Sequence, residues 1–342
     1  MATSLKKILP IGFGLMNFTV IPEKKFTQEL FNSTFKTILT GSGASQQRPL
    51  FINSGEFYGV PERHEGLKQL GGFFKAHPEF ADSVVVSVKG GVNARWAPDT
   101  STKNLDTAIK TTNEFLKPLY DARKHLPKTL DLFTVARIGR EPIEEIVKHL
   151  EGHVAKNSFT GICLSEVSAP TLERAVAAGQ VDAVEIEFSL FHHDAISDGM
   201  FKTASENGLT VVAYSPLGKG VLVGKGADEL TKGDFRTQLD KFSNPEAVKH
   251  NTVLVDYVKK IADENGLTPA QVALSWILSV SDKSGNPTVV PIPGSTNAER
   301  QQSNFESKEL SPKVFEDLNT FLKGFKTAGH RYNKMLEQFT SR

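Results

Sequence analysis

Cysteine is almost missing from this chain: Cys163 stands alone among 342 residues. A single thiol cannot form an intrachain disulfide, so a core must hold the fold, and a reducing setting, cytoplasmic or nuclear, is expected. Cys163 lies in the apolar run GICLS, where a buried, inert thiol is expected instead of a nucleophile. Charge of one sign is not in excess either. Lys and Arg total 40 against 39 Asp and Glu, for a net charge of +1. With no long run of one sign, the electrostatic signature of a nucleic-acid or membrane-surface binder is absent, which leaves a small molecule or a protein as partner. No apolar stretch is long enough to span a bilayer. The opening MATSLKKILPIGFGLM places two lysines before an apolar stretch, but Pro10, Gly12 and Gly14 interrupt it and no small-residue cleavage site follows. No metal-ligand spacing is expected among the nine histidines, and so no metal.

Short runs rich in Val, Ile and Phe alternate with longer segments of helical spacing, the pattern of a parallel α/β fold. Candidate strands are Ile8–Gly12, Leu50–Asn53, Ser83–Lys89, Leu130–Val135, Gly161–Leu164, Ala183–Phe188, Thr210–Tyr214 and Thr288–Ile292. Helices are expected over Thr27–Leu39, Glu62–Ala76, Asn104–Lys124, Pro142–Lys156, Pro170–Ala178, Ser197–Asn207, Pro245–Asn265 and Pro269–Val280. Pro142, Pro170 and Pro269 fall at or near helix starts, where a missing N–H does no harm. Eight strands allow a closed (β/α)8 barrel or an open doubly wound sheet. Polar residues decide between them. Tyr58, Lys89, Arg137, Ser165, Glu185, Tyr214 and the segment 293–300 all follow directly on candidate strands, as barrel chemistry requires. Gly12-Phe13-Gly14 lacks the remaining spacing of a dinucleotide fingerprint. The expected architecture is therefore one barrel domain over residues 1–342. The long Gly- and Lys-rich segment from Leu217 to Asn244 would be a mobile flap, and the tail Ser311–Arg342 an extra helix plus a loop over the barrel mouth.

With these positions placed, the chain resembles the aldo-keto reductase superfamily over nearly its whole length. The residues that carry the resemblance are Asn53-Ser54-Gly55-Glu56-Phe57-Tyr58-Gly59, Lys89 in VVVSVKGG, Leu164-Ser165-Glu166-Val167-Ser168, and Tyr214-Ser215-Pro216-Leu217-Gly218. PIPGSTNAERQQSN, Pro291 to Asn304, and the preceding TPAQVALSWIL complete it. Within the superfamily the chain is most similar to the fungal pyridoxal reductase group, through GEFYG, SVKGG, the pair Ala136-Arg137, PIPGS and the terminal RYNK.

The resemblance implies hydride transfer from NADPH to a carbonyl carbon, with Tyr58 protonating the carbonyl oxygen and Lys89 tuning it. A free tyrosine has a pKa of about 10, too high for easy proton traffic near neutrality. A lysine about 4 Å away at an effective dielectric near 20 supplies roughly 4 kcal/mol, and a shift of one or two pKa units needs only about 1.4 to 2.7 kcal/mol. Two departures from the family pattern stand out. Asn53 replaces the aspartate that pairs with the lysine, which should leave Lys89 a more naked cation with a stronger pull on Tyr58. Ala136 replaces the histidine that bonds the substrate carbonyl, which leaves three readings open: Arg137 or a water orients the carbonyl, the missing imidazole makes room for a bulky ring, or catalysis has been lost. Phe57, Trp96, Arg137 and His192 are candidate substrate contacts.

For the cofactor, the resemblance implies that Ser165 holds the nicotinamide carboxamide, with Glu166 and Glu185 where amides are usual, and that Tyr214 stacks on the ring. Gly14, Leu15 and Met16 would touch the nicotinamide side. Ser215, Pro216, Leu217, Gly218 and Gly220 would wrap the pyrophosphate. Ser295, Thr296 and Arg300 suit a 2′-phosphate, Asn304 would reach the adenine, and Gly294 stands where the family often has a lysine. The expected activity is NADPH-dependent reduction of an aldehyde, pyridoxal to pyridoxine above others, and reversible. The alternatives are a reductase of other aldehydes or ketones, and a cofactor-binding regulatory subunit, since the superfamily also includes channel-associated members.

Overall fold

The apolar runs become strands because β-branched and aromatic side chains pack well on a pleated surface, and eight of them pair in parallel in chain order. The computed structural model describes residues 5, 7–19, 26–60, 62–223, 235–283 and 285–332. The strands are β1 (Phe13–Gly14), β2 (Leu50–Gly55), β3 (Val84–Gly90), β4 (Leu130–Val135), β5 (Phe159–Ser165), β6 (Ala183–Glu187), β7 (Thr210–Tyr214) and β8 (Val289–Pro291). The Gly12 N–H donates to the Pro291 carbonyl at 2.9 Å and the Gly14 N–H to the Pro293 carbonyl at 3.3 Å. These bonds join the two edges, and the sheet is a closed (β/α)8 barrel. Around it lie α1 (Gln28–Gly41), α2 (Glu65–Ala76), α3 (Thr102–Ala122), α4 (Ile143–Ala155), α5 (Ala169–Ala178), α6 (Met200–Glu206), α7 (Asp240–Ser243), α8 (Pro245–Asn265), α9 (Pro269–Val280), α10 (Ala298–Phe305) and α11 (Pro312–Gly324). No helix among the described residues is long and apolar enough to cross a membrane.

Two expectations need correcting. The opening strand does not lie at Ile8–Gly12 but just beyond it, where Phe13 and Gly14 pair with Ile52 and Asn53. Pro10 has no N–H for a ladder, and the backbone passes so close to β2 that a Cβ on Gly12 would stand 2.9 Å from the Phe51 carbonyl oxygen. The segment from Leu217 to Asn244 is not without regular structure. It forms 3-10 turns at Gly218–Val223 and Phe235–Gln238 and the short helix α7, while residues 224–234 lie outside the described residues.

Side chains alternate along a strand, and this alternation builds the barrel interior in layers. Phe51, Val85, Leu132, Cys163, Ala183, Val212 and Val290 pack together with Leu5 and Ile292 as an apolar floor. Burial there pushes the Cys163 thiol far above its ordinary pKa, so it stays protonated and inert. Two residues further along the same strands come Asn53, Ser87, Thr134, Ser165, Glu185 and Tyr214; two further still come Lys89 and Glu187. The polar layer thus sits toward the C-terminal ends of the strands. A second, larger core fills the space between sheet and helices.

Caps and one buried ion pair fix the helical layer. Arg123 and Asp131 are fully buried and paired at 2.5 Å, and Arg123 also donates to the carbonyls of Pro127, Thr129 and Val84. At the start of α9 the Thr268 hydroxyl accepts from the Gln271 N–H (3.2 Å) while the Gln271 side chain accepts from the Thr268 N–H (2.9 Å). Thr268→Ala is expected to cost about 1 kcal/mol, read as an earlier midpoint in urea unfolding. An unchanged midpoint would mean that the rest of the helix interface alone fixes α9.

The tail follows the expected course as far as it is described. After α11, the Thr327 hydroxyl donates to the Phe191 carbonyl at 2.7 Å, and the Asn251 amide clasps the Ala328 backbone from both sides at 2.9 and 3.0 Å. Gly329, at φ +83, then turns the chain toward the barrel mouth. The last residues of RYNK, Asn333 and Lys334, lie outside the described residues.

Candidate active site

Lys89, at the end of β3, is buried and would be costly to keep charged without partners. It has two. Its ammonium donates to the Asn53 carboxamide oxygen on β2 and to Glu185 Oε1 on β6 at 3.0 Å, while Asn53 Nδ2 donates to Glu185 Oε2 at 2.8 Å. The Asn53 amide therefore uses both ends, and a closed triangle forms across the barrel. The expectation of a naked Lys89 is overturned, because Glu185 supplies the carboxylate that Asn53 cannot. Burial works against the Lys89 charge, but the Glu185 carboxylate and the Tyr58 phenol outweigh it and raise its pKa.

Tyr58 sits in the turn after β2, mostly buried, with the Lys89 ammonium 5.3 Å from its ring centre. Its N–H donates to the Gly55 carbonyl and its carbonyl accepts from the Gly66 N–H, each at 3.1 Å, so the turn is tied at both ends. Phe57 stands edge-on to Tyr58 at 5.3 Å and to Trp96 at 5.9 Å. Trp96 is 52 % exposed and adopts φ +62. An aromatic wall thus flanks the phenol, and two of the candidate substrate contacts are brought to it. Glu56 and Arg63, which sequence reasoning missed, lock the wall's two loops together: Arg63 donates to Glu56 at 2.9 Å and to the carbonyls of Val92 and Asn93 at 2.5 and 2.9 Å. Glu56 stood in the GEFYG block with no role assigned to it, and Arg63 could not be marked because its other partners, the Val92 and Asn93 carbonyls, come from the loop after β3. Ala136 is buried, and its carbonyl accepts from Arg137 at 2.6 Å.

Arg137 is directed elsewhere, toward the ends of β5 and β7. It donates to the Ser165 hydroxyl at 3.3 Å, and although burial opposes its charge, Tyr214, Tyr332 and Glu166 raise its pKa. This is a second charged cluster. Arg331 from the tail pairs with Glu166, donates to Glu187 at 2.8 Å and to the Tyr214 hydroxyl at 3.1 Å. The Tyr214 and Tyr332 hydroxyls share a 2.5 Å hydrogen bond. Glu187 also pairs with Lys219 at 2.5 Å and Lys241 at 3.2 Å. Burial lowers the Lys219 pKa to about 8 against the pull of Glu187. His192 adjoins the cluster and is neutral near pH 7, since burial and then the Arg331 charge lower its pKa to about 4. Of the cluster's unforeseen members, only Arg331 and Tyr332 carried a signal, the RYNK motif; Lys219 and Lys241 became partners of Glu187 only on folding. Glu166 and Ser215 both hold positive φ, +59 and +51, directly after strand ends, a strain that gathers at functional mouths.

The proposed cofactor residues surround this mouth unevenly. Ser165 and Tyr214 end β5 and β7, but Glu166 and Glu185 are already held in ion pairs. Leu15 is buried and Met16 exposed beyond β1. A Cβ on Gly294 would stand 2.7 Å from the Gly14 carbonyl oxygen, so a lysine could not stand there without moving β1. Gly218 and Gly220 close turns with their N–H groups on Ser215 and Leu217, with Pro216 between. Ser295 and Thr296 are partly exposed before the start of α10, and Arg300 is exposed in its first turn. Asn304 is buried against Gln301 at 3.2 Å. Hydroxyls and a free-standing guanidinium near a helix start make a donor set that fits a phosphate.

A model of the aldo/keto reductase family matches residues 10–323. A Schizosaccharomyces pombe protein described as a probable pyridoxal reductase 2 is 32% identical over 98% of this chain and 98% of its own length. A Saccharomyces cerevisiae protein, described only provisionally as a pyridoxal reductase, is 31% identical over 95% and 96%. An S. pombe aldo-keto reductase named for NADP(+) is 34% identical over 59% of this chain and 60% of its own. Among solved structures, a thermostable aldo-keto reductase in complex with the inhibitor epalrestat superposes with a TM-score of 0.63 at 20% identity, covering 92% of this chain and 95% of that one.

Proposed function

This chain belongs to the aldo/keto reductase family, and from that membership we propose that it is an NADPH-dependent reductase of an aromatic aldehyde the size of pyridoxal. The observation that carries the reading is the buried triangle of Lys89, Asn53 and Glu185 beneath Tyr58, beside the Phe57 and Trp96 wall. When bound, NADPH would supply the hydride. Ser165, Tyr214, Ser295, Thr296 and Arg300 are the residues that would hold it, with Ser165 taking the carboxamide while Glu166 and Glu185 are held in ion pairs.

The chain's own part is acid catalysis and orientation. Tyr58 gives its hydroxyl proton to the carbonyl oxygen as negative charge grows there, and the charged Lys89 beside it stabilises the phenolate left behind. Glu185 and Asn53 keep Lys89 charged and aimed. The aromatic wall offers a flat apolar face to a planar ring and keeps water off one side of it. Alanine at 136 is smaller than the imidazole the family pattern places there, which favours a substituted ring over a small aldehyde.

The test is NADPH consumption at 340 nm with pyridoxal, a panel of simple aldehydes, and NADH in parallel. Pyridoxal should be the better substrate and NADPH the better donor. Equal rates across the panel would put the chain among general aldehyde reductases. Tight NADPH binding with no turnover of any carbonyl would favour the regulatory reading, for which the missing imidazole at Ala136 is the one supporting observation.

A further inference from the structure

On the outer helical layer, away from the barrel mouth, three donor groups converge. His149 and His153 lie one helical turn apart on α4, in the sequence HLEGH, and Asp106 faces them from α3. The Nε2 atoms of both imidazoles lie 2.8 Å from the same oxygen, Asp106 Oδ1, and all the donor atoms fall within 4.8 Å of one another. The sequence reading saw no metal-ligand spacing among the histidines; in the folded chain an i, i+4 pair on one helix aims two imidazoles at the Asp106 carboxylate.

We propose that Asp106, His149 and His153 form a binding site for a zinc ion that clips α3 to α4. Zinc takes imidazole nitrogen and carboxylate oxygen at about 2.0 to 2.2 Å, and ligands around a shared tetrahedral centre stand about 3.3 to 3.5 Å apart. The two rings need withdraw from Oδ1 by only about half an ångström to admit the ion. With both imidazoles neutral the trio carries one negative charge, which suits a dication and disfavours an anion. The side chains of His149, His153 and Asp106 are 24%, 16% and 53% exposed, so an ion has an entry path and water can complete its coordination.

The rings are also held in place. His153 stacks on Phe159 at 6.1 Å and 18°, and His149 meets the edge of His153 at 5.1 Å. The remaining nitrogen of His153, Nδ1, lies 3.3 Å from the Ser158 hydroxyl, the outer support that fixes a ligating imidazole's tautomer. Because Asp106 and His149 are 43 residues apart, an ion between them closes a long loop and stabilises the folded chain by mass action.

The experiment is calorimetric titration of zinc chloride into the full-length protein, first stripped with a chelator, in a non-coordinating buffer. One equivalent should bind with a rise in the thermal midpoint, and Asp106→Asn, His149→Gln and His153→Gln should each weaken it by at least the roughly 10-fold that loss of a supporting contact costs. Asp106 is half exposed, so Asp106→Asn should keep its metal-free melting temperature and separates lost ligation from misfolding. Cobalt(II) should give visible absorption of tetrahedral type that the triple variant lacks. No saturable uptake, or uptake unchanged in the triple variant, would overturn the site and leave Asp106 as a hydrogen-bond acceptor for two imidazoles.

Discussion

Tyr58→Phe is expected to lower kcat by about 10²- to 10⁴-fold, the usual contribution of a positioned general acid. Phenylalanine keeps the edge-on contact with Phe57 and both backbone bonds to Gly55 and Gly66, so the turn should fold unchanged. What goes is the hydroxyl proton beside Lys89, the proton donor that the reading assigns to the carbonyl oxygen. KM and NADPH binding, read by quenching of protein fluorescence, should move little, because the lost interaction belongs to the transition state. A variant within tenfold of the parent would sink the assignment and return Tyr58 to the status of an ordinary core tyrosine.

Glu185→Gln tests the triangle. Removing one partner of a buried ion pair strands the other, at a cost of about 3 to 5 kcal/mol in stability. The sign of the pH effect follows from the opposing influences on Lys89. Burial lowers its pKa and Glu185 raises it, so without Glu185 the pKa falls and Lys89 loses its proton at lower pH. The alkaline limb of the rate profile should therefore move toward neutrality, with kcat/KM falling roughly 10- to 100-fold for about 1.4 to 2.7 kcal/mol of lost support. Asn53→Asp alone places two carboxylates against one ammonium and should also be unfavourable. The double exchange, Asn53→Asp with Glu185→Gln, restores one carboxylate and one amide around Lys89 and should recover most of both losses. Double-variant effects that merely add would show that Asn53 and Glu185 do not act as a unit.

Much of this was legible in the chain. The strands from β2 to β8 came from runs of β-branched and aromatic residues whose type survives any neighbour, and β4 and β7 match the sequence reading at both ends. Tyr58 and Lys89 were readable because Lys89 ends the apolar run that becomes β3 and Tyr58 lies in the turn after β2, so that strand polarity alone sends them to the same end of the barrel. The opening strand was misplaced because its limits depend on a close backbone approach at Gly12, which a one-dimensional pattern does not contain.

The α/β alternation, the barrel, the mouth at which polar residues collect, and the phenol and ammonium of the candidate site could all be read from the chain's order of residues. Which side chain partners which could not, because that depends on contacts between distant positions. Asn53 looked like the loss of a charge, and became one member of a triangle when β6, 132 residues further on, delivered Glu185 across the barrel. Arg331 and Tyr332 came to the mouth because α11 and the Asn251 clasp return the tail there. Asp106 met His149 and His153 because adjacent barrel helices pack side by side. In each case the residue type is local information, whereas the charge that balances it is set by closure of the barrel, which brings distant positions within a few ångströms and makes burial without a partner too costly to persist.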